Sequence, residues 1–540
     1  MKSATGWTHI VVGAGAAGCL LAARLSEDPA KRVLLLEEGR RGRGPILDVP
    51  MMTALLMRGR YHTRQFTTAP VPGLEGRTST WPRGVVLGGS TAINGMVYAR
   101  GLPLDYDLWA QSGLSGWSYD QLLPYFLRSE AFLGPGGQGE HHGRTGTLGV
   151  SRPDHTVSPL ADAFVEAGAQ AGYPRSEDFN GATPEGFGHY HFTIRRGRRE
   201  SAARAFLEPA SGRPNLTVAT GCRVLRILFE GDRARGVEVQ RRTSIERFAA
   251  EADIILAAGA IGSPQLLLLS GVGPADDLRR LDIHVHADAP NVGRNLHDHV
   301  LIRVQHHVRD AADDPTLHRL TRIDRAAAAF LRAWLLGTGP MAVFPLEAGA
   351  YVRSSGADEP DLQCHFLPAL TSATVRLPFA RIGLNDGPGF MANASVMRPA
   401  SRGFLRLRTA DPADPPEIQP NYLDDPRDVD VLVEAVAILR NVFAQQAFDR
   451  WRGAELAPGP EVTSGSQIEK WVRQTADTVY HPVGTCRVGV DDLSVVDPEL
   501  RVRQVEGLRV ADASIFPTIP SANTAAPTFM VAEKAAAMLR

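Results

Sequence analysis

The first forty residues contain two apolar runs separated by a glycine-rich turn. The run IVV ends at Val12, the turn GAGAAG follows, and the next segment is rich in Ala and Leu. β-Branched residues before a glycine cluster and helix-forming residues after it predict a strand, a tight turn and a helix. The run VLLLEE predicts a second buried strand that ends at Glu37.

The glycines of this turn suit a dinucleotide. Gly13 permits the tight turn, Gly15 lets the backbone approach a pyrophosphate, and Gly18 lets the helix pack closely on the strand. Glu37 follows at the distance where a carboxylate binds the ribose hydroxyls of adenosine. The motif therefore predicts a bound dinucleotide, and by itself it leaves NAD and FAD open.

Similar patterns recur in the middle and at the end of the chain. Residues 252–269 predict an apolar strand and helix, and residues from about 527 to 539 predict a C-terminal helix. Residues 403–407 and 416–422 alternate in polarity and predict strands of a sheet. We therefore expect one nucleotide domain assembled from distant segments, with a second domain inserted between them.

Composition excludes several classes of protein. The 540 residues include 58 Lys+Arg and 59 Asp+Glu, a net charge of -1, so no global field attracts nucleic acid. Four cysteines without a C-x-x-C pair form neither a disulfide scaffold nor a typical zinc motif. The short basic run at Arg195, Arg196, Arg198 and Arg199 is interpreted as a solvated surface.

The apolar segments bear on the cellular location and on membrane attachment. Residues 254–272 are the most apolar stretch, but Pro264 and Gln265 near its centre favour a strand, a glycine turn and a buried helix over a membrane span. The N-terminus lacks the apolar core of a secretion signal, which predicts a cytoplasmic protein. Peripheral association with the inner membrane stays open, as does the oligomeric state.

Three further stretches resemble the glucose-methanol-choline (GMC) oxidoreductase family of flavoenzymes. They are WPRGVVLGGSTAINGMVYARG at residues 81–101, GAIGSPQLLLLSGVGP at 259–274 with VGRNLHDH at 292–299, and YHPVGTCRVG at 480–489 with LRVADASIFPTIPSANTAAPTFMVAEKAA after it. The resemblance covers nearly the whole chain and is greatest to bacterial alcohol and choline dehydrogenases.

The resemblance implies an α/β protein (α+β overall) with a doubly wound, Rossmann-like FAD-binding domain. Its inserted substrate domain is built on an antiparallel sheet flanked by helices. The expected FAD domain comprises residues 1–155, 215–310 and 465–540, and the expected substrate domain comprises residues 156–214 and 311–464. The resemblance implies FAD contacts from Gly13, Gly15, Ala16, Ala17, Gly18, Glu37, Gly88, Gly89, Ser90, Asn94, Gly95, Val97, Val224, Asp512, Ala513, Asn523 and Ala525.

Some relatives attach FAD covalently through a histidine immediately before the loop asparagine. Ile93 occupies that position here, which predicts non-covalent FAD.

The resemblance also implies a catalytic pair, His481 and Asn523. An imidazole base suits removal of a hydroxyl proton, and an amide donor suits the negative charge that develops on the oxygen. Glu347, which matches a glutamate that contacts choline in choline oxidases, is expected in the substrate pocket together with His365 and Tyr480. Arg64 either favours a polar or anionic substrate or faces solvent, and the solvent-facing interpretation is preferred.

These residues predict FAD-dependent oxidation of a primary alcohol to an aldehyde, with electrons passed to oxygen or a quinone-like acceptor. A choline dehydrogenase or oxidase activity is the alternative within this class. A GMC-type lyase or light-driven decarboxylase, without net alcohol oxidation, is the alternative outside it. A nicotinamide dehydrogenase is compatible with the first glycine motif alone.

No metal site is predicted. His297, Asp298 and His299 are consecutive, so their side chains cannot readily converge on one ion. His141 and His142 are interpreted as polar groups of a loop, and Cys486 as a packed thiol.

Overall fold

Two β-sheets organise the chain, and a large cavity lies between them. The computed structural model describes residues 4–59, 61–134, 140–152, 157–373 and 387–540. The α-helices of these ranges are Ala16–Leu25, Pro45–Asp48, Thr53–Arg58, Pro103–Gln111, Tyr119–Ser129, Pro159–Gln170, Glu208–Ala210, Gly259–Leu269, Ala275–Arg280, Ile323–Leu336, Pro426–Ala444, Gly465–Thr475 and Ala525–Met538.

The first sheet is doubly wound. Its spatial order is Leu216–Thr220, Val33–Glu37, Ala4–Val12, Ser244–Leu256, Arg233–Arg241 and Cys222–Glu230, with Leu508–Val510 beside the C-terminal end of Ser244–Leu256. The first four strands and Leu508–Val510 run parallel, whereas the strands Cys222–Glu230 and Arg233–Arg241 are antiparallel additions. Ligands bind such sheets where the strand order reverses, which here is between Ala4–Val12 and Ser244–Leu256.

The second sheet is almost entirely antiparallel. Its spatial order is Arg452–Ala457, Val300–Val308, Gly389–Val396, Leu362–Leu367, Ala348–Val352, Gly186–His189 and Arg175–Ser176, with Asp477–Thr478 beside Val300–Val308. Short pairs complete the strands: Thr63–Thr67 with Thr80–Gly84, Val97–Tyr98 with His191–Phe192, Ile194–Arg195 with Arg198–Arg199, Glu130–Phe132 with Leu148–Val150, Val272–Gly273 with Ala287–Asp288, and Phe404–Arg406 with Glu417–Gln419.

Side-chain alternation gives the second sheet two different faces. Ile302, Phe366 and Phe390 are buried in a core with Phe164 and Phe443 from two covering helices. The neighbouring positions on the same three strands point the other way, because successive side chains of a strand face opposite sides. Leu301, Arg303, His365, Leu367, Met391 and Asn393 therefore form one wall of the cavity.

The predicted fold class is confirmed. The apolar stretch at residues 254–272 is a strand ending at Leu256 followed by the buried helix Gly259–Leu269, as predicted. None of the helices in the described ranges has the length and apolarity needed to cross a membrane. The C-terminal helix begins at Ala525, two residues before the predicted start.

The domain boundaries stay a prediction. The strand Val300–Val308 lies on the FAD side of the predicted boundary at residue 310, yet it pairs with strands of the second sheet.

Candidate active site

The cavity between the two sheets has a volume of about 880 Å³, within the range of about 300–1,000 Å³ that is common for ligand sites. It brings together the following residues predicted from the sequence: Gly13, Gly15, Ala16, Ala17, Glu37, Gly89, Ser90, Asn94, Gly95, Val97, Val224, His365, Tyr480, His481, Asp512, Ala513, Asn523 and Ala525. Three predicted residues, Gly18, Gly88 and Glu347, lie outside its lining.

The glycine turn leaves room for a pyrophosphate at the start of the first helix. A Cβ on Gly15 would meet only the Ala257 oxygen, at 3.9 Å, so it would project into the cavity. A Cβ on Gly18 would lie 1.8 Å from the Gly13 oxygen, so this glycine serves the contact between helix and strand. The helix Ala16–Leu25 thus directs its N-terminal amides toward an open cradle, which fits the dinucleotide that the motif predicts.

Glu37 is fixed at the adenosine end of this cradle. Its two carboxylate oxygens accept hydrogen bonds from the Ala14 and Gly39 amides, each at 2.8 Å. Burial raises the pKa of Glu37 to about 7, although both hydrogen bonds act in the opposite direction. The carboxylate is therefore held in place by the backbone, while its contact with a ribose stays a prediction.

Beside Glu37, Glu38 is paired with two arginines on the cavity wall. Arg64 donates to Glu38 at 2.5 Å, and Arg223 approaches the same carboxylate oxygen. Burial works against ionisation of Glu38, but these partners hold its pKa below the ordinary value. The solvent-facing interpretation of Arg64 was therefore incomplete, because this partly exposed side chain both lines the cavity and holds an acidic partner.

The loop that is expected to run along the flavin rests on Arg199. Arg199 is 2% exposed, and its guanidinium donates to Asn94 Oδ1 at 3.0 Å and to the backbone oxygens of Asn94, Thr91 and Leu47. Burial lowers the pKa of Arg199 to about 9. The Met96 amide also donates to Asn94 Oδ1, so the amide nitrogen of Asn94 is the group left for a ligand.

The interpretation of residues 195–199 as a solvated surface was wrong for Arg199. The hairpin formed by Ile194–Arg195 and Arg198–Arg199 turns alternate side chains to opposite sides. An arginine-rich sequence does not by itself show which of its side chains faces the interior.

His481 is held by its backbone. Asp298 Oδ1 accepts from the His481 amide at 2.6 Å, while Asp298 Oδ2 accepts from Thr478 Oγ1 at 2.5 Å and from the Tyr422 hydroxyl. Burial raises the pKa of Asp298 to about 6 in spite of these donors. The preceding residue, Tyr480, has a φ of 68°, a conformation that is uncommon for a bulky side chain and is found at functional sites.

A chain of hydrogen bonds defines the proton positions on His481. His299 Nε2 lies 2.9 Å from the Met397 carbonyl oxygen, which only accepts, so His299 Nε2 carries a proton. Burial lowers the pKa of His299 to about 4, so this ring is neutral and its Nδ1 is an acceptor. His481 Nδ1 lies 2.9 Å from that atom and must donate to it. His481 Nε2 is consequently the unprotonated nitrogen.

The pKa of His481 indicates that its ring is neutral. Burial, together with the neighbouring His299, His365 and Arg83, holds the pKa of His481 well below the 6.5 of a free imidazole. His481 is therefore a neutral base at neutral pH.

Asn523 faces the unprotonated nitrogen. Its Nδ2 lies 3.3 Å from His481 Nε2, and its Oδ1 accepts from Gln363 Nε2 at 3.1 Å. Gln363 thereby sets the amide orientation, so that the Asn523 nitrogen donates toward the cavity. The N-cap of the following helix is Thr524, so Asn523 does not cap that helix.

The sequence analysis missed the supporting role of the segment 297–299. His299 and Asp298 both fix His481, whereas His297 is buried and neither of its ring nitrogens has a hydrogen-bond partner among the described residues. The motif VGRNLHDH does not by itself predict this role, because only the fold brings residues 299 and 481 together.

The wall around the catalytic pair is mainly apolar. Leu301, Phe344, Leu346, Leu367, Leu370, Met391 and Tyr480 line the cavity. Two buried polar atoms there, His365 Nε2 and Asn393 Oδ1, have no hydrogen-bond partner among the described residues, and the two side chains sit opposite each other on paired strands. Burial lowers the pKa of His365 to about 4, so this imidazole is neutral as well.

Glu347 lies outside the lining of the cavity that contains His481 and Asn523. It is 2% exposed, and its Oε2 accepts from the Val157 amide at 2.8 Å. Burial raises the pKa of Glu347 to about 7. The sequence placed Glu347 in the substrate pocket, but within the described residues the cavity is lined by its neighbour Leu346 instead.

His142 is more than a loop polar group. Its ring bridges Glu130 at 3.1 Å and Asp178 at 2.6 Å, and Arg100 pairs with the same Glu130 at 2.6 Å. Burial lowers the pKa of His142, but the bonds to the two carboxylates outweigh it and raise the value to about 9. Potential ligand atoms of His142, Asp178 and His191 lie within 4.8 Å of one another. Two cationic side chains, Arg100 and His142, thus pair with two carboxylates, Glu130 and Asp178. We interpret this network as one that stabilises the fold.

Comparisons with known proteins identify the family of the chain. Two GMC oxidoreductase family models match residues 7–301 and 399–532. The mitochondrial choline dehydrogenase of Homo sapiens is 44% identical over 99% of this chain and 90% of its own length. The oxygen-dependent choline dehydrogenase of Photobacterium profundum is 40% identical over 98% of this chain and 92% of its own.

Solved structures give the same result. Pyridoxine 4-oxidase from Mesorbium loti superposes with a TM-score of 0.88 at 34% identity, covering 98% of this chain and 99% of that one. A formate oxidase from Aspergillus oryzae RIB40, in a structure on FAD modification, has a TM-score of 0.92 at 25% identity, covering 100% and 99%. The chain belongs to the GMC oxidoreductase family, and it is an FAD-dependent oxidoreductase that acts on the CH–OH group of its donors.

Proposed function

We propose that this enzyme oxidises an uncharged primary alcohol to its aldehyde and passes the electrons to a quinone-like acceptor or to oxygen. The observation that carries the proposal is the unprotonated Nε2 of His481, which faces the amide donor of Asn523 at 3.3 Å inside the cavity. An alcohol hydroxyl needs one acceptor for its proton and one donor for its oxygen, and this pair offers both.

In the proposed reaction the substrate hydroxyl lies beside the pair, within hydrogen-bond distance of both nitrogens. Its proton moves to His481 Nε2 while Asn523 Nδ2 donates to the oxygen, on which negative charge develops. His299 Nδ1 accepts a hydrogen bond from His481 Nδ1–H throughout, so the His481 ring keeps its orientation as it becomes positively charged. A donor placed like Asn523 contributes about 2.7–4 kcal/mol by the loss measured on removing comparable groups.

FAD, when bound, supplies the hydride acceptor at N5 of its ring system. The cradle at Gly13 and Gly15, the carboxylate of Glu37 and the amide nitrogen of Asn94 are the groups that we propose hold it. Ile93 is buried at 2% exposure and has no nucleophilic atom, which supports non-covalent attachment.

The walls of the cavity favour an uncharged substrate over choline. Every acidic residue in the described lining already has partners: backbone amides bind Glu37, arginines bind Glu38, Ser79 binds Asp477, and Ser263 binds Asp512. A quaternary ammonium entering this apolar wall would lose its hydration without gaining a free carboxylate. Choline stays the second candidate because relatives with more than 40% identity are named choline dehydrogenases.

The test is anaerobic reduction of the purified holoenzyme in the dark, monitored as the loss of flavin absorbance at about 450 nm. We expect uncharged primary alcohols such as 1-butanol and benzyl alcohol to bleach the flavin with a second-order rate constant at least about tenfold higher than that of choline. A higher value for choline would overturn the substrate proposal. Absence of bleaching by every alcohol would instead favour a lyase or decarboxylase.

A further inference from the structure

The helix Ile323–Leu336 carries an apolar stripe that faces solvent. Ile323, Leu331, Trp334 and Leu335 form the stripe, at the spacing i, i+8, i+11 and i+12 that places side chains on one face of a helix. Their exposed fractions are 48%, 49%, 36% and 63%, and the adjacent Leu336 is 71% exposed. Single exposed apolar residues are ordinary on protein surfaces, whereas a stripe of large ones marks an interaction site.

A neighbouring face of the helix is already packed. Ala326, Ala329, Phe330 and Ala333 contact a small core that includes Met51 and Met341. The apolar stripe is therefore a second apolar face, and the packing of the helix onto the enzyme does not account for it.

Arginines flank the stripe. Arg325 and Arg332 lie beside the stripe on the helix surface, on the side of Leu335, and Arg319 precedes the helix. All three are exposed, and none forms a salt bridge with a described residue. Asp324 is the one acidic residue between positions 317 and 336, and it is paired with Arg322 at 2.9 Å. This segment is locally basic in a chain whose net charge is -1.

The same region leads to the cavity. Among the described lining residues, the exposed ones are Ala54, Arg58 and Thr371, which places the opening of the cavity there. Ala54 and Arg58 belong to the helix Thr53–Arg58, which directly follows the Met51 and Met52 that pack against the helix Ile323–Leu336. The helix that carries the apolar stripe is thus a neighbour of the cavity opening.

We infer that the apolar stripe of Ile323–Leu336 docks the enzyme on an anionic lipid bilayer. Leu and Trp on one side with arginines beside them are the features of a helix that lies in the membrane interface. The arginines complement anionic headgroups. A second copy of the chain would bring two basic patches together in a symmetric dimer, and this like charge opposes that occupant. Docking would bring the cavity near a lipid-soluble quinone, and that consequence rests on the proposed function. The docking itself does not depend on the proposed function.

The test is co-sedimentation of the FAD-loaded enzyme with vesicles of phosphatidylglycerol and phosphatidylcholine, at low salt. We expect the wild type to bind these vesicles, to bind phosphatidylcholine alone much more weakly, and to be released as salt is raised. The variant Leu331→Glu/Leu335→Glu is expected to bind at least about tenfold more weakly. Its flavin content and melting temperature should match the wild type, because both side chains project away from the core.

The matched control is Ile245→Glu/Leu493→Glu, which places the same two charges at side chains that are 54% and 60% exposed elsewhere on the surface. This control should bind vesicles like the wild type. Three results would each overturn the docking: no binding of the wild type, equal loss in both double variants, or a wild-type dimer that Leu331→Glu/Leu335→Glu dissociates. The last of these would assign the stripe to a second copy of the chain.

Discussion

At the scale of single residues, chemistry depends on which nitrogen of His481 carries a proton. The carbonyl of Met397 fixes the proton on His299, and His299 in turn fixes the proton on His481, so that the free lone pair faces Asn523. His481 and Asn523 were predicted from the sequence. His299 and Gln363 were not, because their positions follow from strand pairing and from contacts across more than a hundred residues.

Replacing His299 tests this positioning role. His299→Leu removes the acceptor for His481 Nδ1 and should slow flavin reduction by about ten- to a hundredfold, below the full effect of losing an acid–base group. His299→Asn keeps an oxygen near the position of Nδ1 and should restore most of the rate. Rapid-mixing kinetics with a primary alcohol measure both variants. Equal rates in the two variants would show that His299 only fills space.

The pH dependence of flavin reduction tests the pKa of His481. A base whose pKa is depressed stays unprotonated as the pH falls through 6.5, and it loses activity only at lower pH. We therefore expect the limiting rate of reduction of the wild type to stay constant from pH 8 down to about 6. A rate that halves near the ordinary histidine pKa of about 6.5 would contradict the assignment.

At the scale of elements, the first strand, turn and helix could be predicted because their pattern is local. The strand before Gly13 and the helix after Gly15 need only β-branched residues, glycines and alanines in the right order. The second sheet was predicted only in outline. Its strands come from segments as distant as Arg175–Ser176 and Arg452–Ala457, and pairing over that separation has no local signal.

Gly18→Ala tests the contact between that helix and strand. The added Cβ would lie 1.8 Å from the backbone oxygen of Gly13, so the helix must shift and the cradle with it. We expect destabilisation of at least about 1–3 kcal/mol, the range for overpacking, and reduced FAD content after purification. Gly212→Ala, where a Cβ meets nothing within 4 Å, is the control. Thermal unfolding and the ratio of flavin to protein absorbance measure both variants, and identical results would argue against a tight contact at Gly18.

At the scale of the whole molecule, one cavity is bounded by both sheets. Gly13 and Glu37 line it from the first sheet, and His365 and Asn393 line it from the second. The sequence predicted two interwoven domains. It could not predict that Glu347 lies outside the lining, because a family position names a residue without giving its side-chain direction.

Release of FAD tests the non-covalent assignment together with this shared cavity. Acid precipitation should leave the flavin colour in the supernatant, since Ile93 offers no atom for attachment. Gentle removal of FAD should lower the melting temperature, and added FAD should restore it, because a ligand that binds only the folded state stabilises it by mass action. Flavin that stays in the protein pellet would contradict the assignment.

The central claim is that His481 is the base that takes the hydroxyl proton. The most direct measurement is the rate of anaerobic flavin reduction by a primary alcohol in the wild type and in His481→Ala, with flavin content determined for both. The account predicts that the variant retains FAD and that its reduction is slower by at least about a hundredfold. Reduction of His481→Ala at the wild-type rate would contradict it.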